Sequence, residues 1–215
     1  MLNESFIINF AHVSAATIII PFIFLILKRK AFNKQLKALF IYICTSILFE
    51  LLGLISLNTP PFNYYITFSF VVIETGIIFY LFCTKIIQPF FKKSIITIYI
   101  IFLFTALLLI LMKNLPFAES IIFPLQSTLI LILSIFFFFK IFTDSSLQNI
   151  TDYPFFWFNS AFLLYFGTNL FLYLFYTNIK LCNLNLIYLV GCLPLIMGII
   201  YNSLLAVGIW KIKLT

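Results

Sequence analysis

The stretch SIITIYIIFLFTALLLILM, residues 94–112, contains no charged side chain and is bracketed by Lys92-Lys93 before it and Lys113 after it. As a helix rising ~1.5 Å per residue it reaches roughly 28 Å, about the thickness of a bilayer's hydrocarbon core. A barrel strand would alternate apolar and polar residues over about ten positions, and this block is apolar throughout. It reads as a transmembrane helix. Working outward, similar blocks occupy residues 6–27, 38–57 and 64–84 on one side, and 121–139, 155–176 and 186–210 on the other. The expected fold is an all-α membrane protein: a bundle of about seven transmembrane helices forming a single transmembrane domain over residues 1–215.

Composition agrees. Of 215 residues, 64% are hydrophobic and 9% charged, too few charges for the surface of a soluble domain of this length. The 30 phenylalanines, with abundant Ile, Leu, Asn and Lys, fit an AT-rich bacterial coding bias, and hence a bacterial inner membrane. A net charge of +7 raises the question of nucleic acid, but the basic residues stand in short loops between apolar blocks and form no basic tail. They act as topology signals, and no nucleic-acid partner is expected.

The distribution of those charges orients the chain. Eleven of the 13 basic residues fall in one set of loops, including Lys28, Arg29, Lys30, Lys34 and Lys37, then Lys85, Lys92 and Lys93, then Lys140, then Lys211 and Lys213. Only Lys113 and Lys180 fall in the other set. The positive-inside rule places the first set in the cytoplasm, with the N-terminus outside and the C-terminus inside. Met1 to Phe10 carry no positive region and no small-residue cleavage site follows, so the first block is expected to remain as a helix. Cys44, Cys83, Cys182 and Cys192 show no C-x-x-C or metal-ligand spacing; no disulfide, metal or cofactor is expected. In the longest loop, 140–154, which holds Asp144, the run Thr151-Asp152-Tyr153-Pro154 marks a helix start.

Ionisable groups at membrane depth are expensive, which makes their positions informative. Glu50 in the second span and Glu74 in the third project to roughly 11 Å and 15 Å below the outer boundary, and His12 in the first to roughly 9 Å. Gln126 and Asn169 project to a similar depth. Ser5, Asn9, His12 and Ala16 share one helix face; Tyr42, Ser46, Glu50 and Gly53 share another. The functional reading is a polar cavity in the outer half, lined by His12, Glu50, Glu74 and Asn169, with protonatable carboxyls. The competing reading is that these groups bond neighbouring helices as packing glue. Gly191, Gly198, Asn202 and Ala206 form a small-residue stripe on the seventh span, read as tight packing, with Asn202 bonding Asn159 on the sixth. Pro21 and Pro194 are candidate kinks. The aromatic sixth span reads as core and interfacial belt, with Trp157 and Trp210 at the interface, ahead of an aromatic ligand cage.

Catalytic signatures are missing. There is no H-E-x-x-H, G-x-S-x-G, paired intramembrane Asp or G-x-x-x-x-G-K-[ST], and no mid-span lysine in the seventh helix for a Schiff base. No enzyme activity is expected.

Several segments resemble a known group. Val72-Ile73-Glu74, Phe156-Trp157-Phe158-Asn159-Ser160 with Leu164-Tyr165-Phe166, and Tyr201-Asn202 through Gly208-Ile209-Trp210-Lys211 are similar to a family of small uncharacterised bacterial seven-transmembrane-helix proteins whose genes neighbour sensor histidine kinases. Phe166-Gly167-Thr168-Asn169 departs from a longer polar signature there. The resemblance implies a signalling or sensory accessory role, with a membrane or cytoplasmic signalling protein as partner; the basic first loop and Lys211-Lys213 would meet it or anionic lipid. The rival reading is a small proton- or cation-coupled transporter using Glu50 and Glu74. Laying the fifth to seventh spans over the first to third aligns Pro21 with Pro124 but finds no acid to match either glutamate, so no internal repeat supports it.

Overall fold

The computed structural model describes residues 4–29, 34–56, 60–85, 88–112, 114–143, 149–180 and 184–212. These residues are all-α, apart from turns: α1 Glu4–Ala16, α2 Ile19–Leu27, α3 Lys34–Ser56, α4 Pro60–Lys85, α5 Pro89–Leu111, α6 Leu115–Thr143, α7 Pro154–Lys180 and α8 Leu184–Trp210. Seven stretches among them are long and apolar enough to cross a membrane, α1 and α2 together making the first, Phe6–Leu27. The chain is a multi-pass membrane protein of the all-α class. Lys30, Lys113, Asp144, Cys182 and Lys213 lie outside the described residues, as do the side chains of Ser5, Tyr176 and Lys180.

Most helices outrun the spans read from hydropathy. α3 begins at Lys34, α5 runs back to Pro89 and α6 continues to Thr143, each carrying lysines into its end turns. Lysine is a good helix former whose long stem covers apolar surface while its ammonium reaches polar surroundings, so charge ends an apolar block without ending the helix.

The chain divides into two compact units, residues 1–31 with 127–215, and residues 32–126. In the second unit α4 is the most buried element, with Phe68, Val71, Ile78, Phe79, Leu81 and Phe82 covered, and it packs on both α3 and α5. The α3–α4 pair has a definite antiparallel register. Ser56 Oγ donates to Asn63 Oδ1 at 3.1 Å, Phe49 meets Phe70 at 5.4 Å between ring centres, and Tyr42 reaches Glu74.

In the first unit α7 packs on α8, and α8 on α1 and α2. Phe155, Phe158 and Phe162 of α7 are fully buried. Phe155 meets Phe137 at 4.6 Å and Tyr201 lies 4.9 Å from Tyr165, so these rings fill the core with one another. The first span breaks at Thr17–Ile18. Pro21 is the cause: it has no N–H for the Thr17 carbonyl, which instead accepts from the Ile20 amide at 3.0 Å. Pro154 opens α7 as expected, following a 3-10 turn at Ile150–Asp152. Asp152 itself is paired with Lys211 Nζ at 2.8 Å.

Candidate functional site

In the unit of residues 32–126, Glu74 sits on the covered face of α4 with 6% of its surface exposed. The Tyr42 hydroxyl of α3 donates to its Oε1 at 2.9 Å, and the Gln126 amide of α6 donates to its Oε2 at 2.9 Å. The same Gln126 nitrogen also approaches the Val71 carbonyl at 3.4 Å. Tyr42 and Gln126 are themselves buried. Each carboxyl oxygen therefore has one donor, from a different helix, and no cation pairs with Glu74 among the described residues. Two neutral hydrogen bonds offset part of the cost of burying the group and bind α3, α4 and α6 at one point.

Glu50 lies elsewhere. It is exposed on α3, has no hydrogen-bond partner among the described residues, and borders a recess of about 100 Å³ with Ser46, Gly53 and Thr67. Tyr42 and Glu50 are eight residues apart, about 12 Å along the helix axis at ~1.5 Å per residue. The two carboxyl groups therefore lie on different parts of the α3–α4 pair. The reason is the register: with Ser56 opposite Asn63 and Phe49 opposite Phe70, Glu50 faces Ile66 and Thr67, while Glu74 faces Tyr42.

In the other unit, His12 is exposed on α1 and Asn169 is half-buried on α7. Gly198 stands where α1 meets α8: a Cβ there would lie 2.8 Å from Ser14 Oγ, which donates to the Leu195 carbonyl at 2.8 Å. Gly191, further along the stripe, has open space around it. The expected Asn202–Asn159 bond is also corrected. Asn202 Nδ2 donates to Thr17 Oγ1 at 2.8 Å, at the break that Pro21 causes, while Asn159 Nδ2 donates to the Ser134 carbonyl at 2.9 Å. Asn202 thus reaches α1 through the Thr17 side chain, whose hydroxyl itself donates to the Ser14 carbonyl at 2.6 Å.

Tyr42 is the site residue that sequence reading missed, since its helical face was shared with Glu50. Matching residues at equal distances from the 58–63 turn would have paired it with Phe79, so only the observed register brings its hydroxyl to Glu74. Gly208 was also overlooked as a packing position: a Cβ there would overlap the Phe158 ring. No protein-family model, curated protein or solved structure matches this chain.

Proposed function

We propose that this protein is a signalling or sensory accessory protein of the bacterial inner membrane, with its N-terminus outside and its C-terminus in the cytoplasm. The observation that carries the reading is the Glu74 cluster. A carboxyl held by Tyr42 and Gln126, without a cation, joins three helices through bonds that depend on its protonation state. The ionised form accepts from both donors. A protonated form carries an extra donor, so the tyrosine or glutamine must reorient. A proton, or a ligand competing for the two donors, therefore has a direct route to a helix shift. The skewed distribution of lysine supports the orientation, and the family resemblance supports a sensor histidine kinase as the class of partner.

A second reading is kept for one observation. Glu50 is a carboxyl with no partner among the described residues, beside a small recess, which suits a proton- or cation-coupled transporter.

The test is gentle detergent extraction of the tagged chain, followed by mass spectrometry of what co-purifies, for wild type and Glu74→Gln. A recurrent kinase whose recovery changes in the variant supports signalling. Recovery of the chain with no protein partner in either form sinks that reading, and proton flux in proteoliposomes abolished by Glu50→Gln would put transport in its place.

A further inference from the structure

Two cavities meet at the lysine-rich end of the unit formed by residues 32–126. The first, about 580 Å³, is basic: Lys34 and Gln35 at the start of α3, Thr84 and Lys85 at the end of α4, and Lys92 in the first turn of α5 line it, with Tyr80 and Cys83. The second, about 540 Å³, is bordered by Ala38 and Ile41 of α3, Ile73 and Ile77 of α4, and Tyr99 of α5. Lys34 and Tyr80 line both, so the two are continuous. No acidic residue among the described ones lines either cavity.

The chemistry of this end is that of an anion site. Three lysines from three helices converge on one cavity. Gln35 is 7% exposed, and its amide nitrogen is buried with no acceptor among the described residues. An unpaired buried donor is costly, and a ligand oxygen beside it would relieve that cost. The apolar cavity extends from the basic one toward the helix middles: from Lys34 to Ile41 is about 10 Å along α3, and from Lys85 back to Ile73 about 18 Å along α4, at ~1.5 Å per residue. A free phosphate has the right charge for the first cavity and no use for the second. A phospholipid has both parts.

We propose that the two cavities are one binding site for an anionic phospholipid, its phosphate against Lys34, Lys85, Lys92 and the Gln35 amide, and an acyl chain between Ile41 and Ile73. Basic pockets between helices at the membrane surface recognise such headgroups, each lysine adding attraction equivalent to about fivefold in affinity. The site does not rest on the signalling reading, because it uses neither Glu74 nor its partners Tyr42 and Gln126.

The experiment uses the full-length chain in neutral detergent, with thermal unfolding followed during titration with phosphatidylglycerol, phosphatidylcholine or inorganic phosphate. Phosphatidylglycerol raises the midpoint, the other two do not at equal concentration, and native mass spectrometry finds a retained phosphatidylglycerol. Lys34→Gln and Lys92→Gln each weaken phosphatidylglycerol binding about fivefold. Ile41→Trp, at an exposed position bordering the apolar cavity, weakens it without restoring a response to phosphate. Equal shifts with phosphatidylcholine, an equal shift with phosphate alone, or unchanged binding in the double lysine variant would each overturn the proposal.

Discussion

At the residue scale the molecule turns on how two glutamates differ. Glu74 accepts from Tyr42 and Gln126, whereas Glu50 has no partner among the described residues. Glu74→Ala takes the carboxyl acceptor from the buried Tyr42 hydroxyl and leaves the Gln126 amide only its 3.4 Å contact to the Val71 carbonyl, and is expected to lower stability by about 2–4 kcal/mol. Glu74→Gln keeps one carbonyl oxygen and is expected to lower it by about half as much. Glu50→Gln should stay within about 0.5 kcal/mol of wild type, as an exposed substitution that breaks no contact. Thermal or denaturant unfolding in detergent checks all three, and a Glu50→Gln loss as large as that of Glu74→Ala contradicts the assignment. Depth along the helices made Glu74 and Gln126 visible in the sequence as polar groups at one level. Depth says nothing of direction around the helix axis, so it also grouped Glu50, His12 and Asn169 with them. Only the α3–α4 register, fixed by contacts near the turn, separates Glu50 from Glu74.

At the scale of elements, small and polar residues decide where helices close. A methyl at Gly198 meets Ser14 Oγ, one at Gly208 meets the buried Phe158 ring, and one at Gly191 meets nothing. Gly208→Ala is therefore expected to destabilise most, by about 1–3 kcal/mol from overpacking, with Gly198→Ala intermediate and Gly191→Ala near neutral. An equal response at all three would contradict the packing described. Pro21→Ala supplies the N–H that the Thr17 carbonyl lacks and should close the break at Thr17–Ile18. Asn202 then loses the geometry of its 2.8 Å bond to Thr17 Oγ1, an interhelical bond worth roughly 0.6–1.7 kcal/mol. The combined Pro21→Ala and Asn202→Leu variant should be no less stable than Pro21→Ala alone, which equilibrium unfolding of the pair measures. The spans, the break before Pro21 and the helix start at Pro154 were legible because twenty-residue apolar blocks and a missing N–H act locally. The Asn202 partner was not, because it depends on which turn the proline opens and which helix packs beside it.

For the whole molecule, seven helices long and apolar enough to cross a membrane, with lysines concentrated in alternate loops, support the proposed topology with termini on opposite sides. Tags at the two ends should show opposite accessibility to a membrane-impermeant reagent in intact cells, the N-terminal tag reacting and the C-terminal one protected. Equal accessibility would remove one span from the count or reverse one loop. Function at this scale was least legible, because ligand and partner leave no motif in an apolar sequence; what the structure adds is a mechanical point, the carboxyl joining α3, α4 and α6. The most direct measurement of that claim is a double-mutant cycle on the full-length chain with Tyr42→Phe, Glu74→Ala and the pair, read by reversible unfolding in detergent. A coupling of roughly 1 kcal/mol between the two positions is the predicted result. Strict additivity would mean that Tyr42 and Glu74 do not act on each other, and the proposed route from the carboxyl to a helix shift would fail with it.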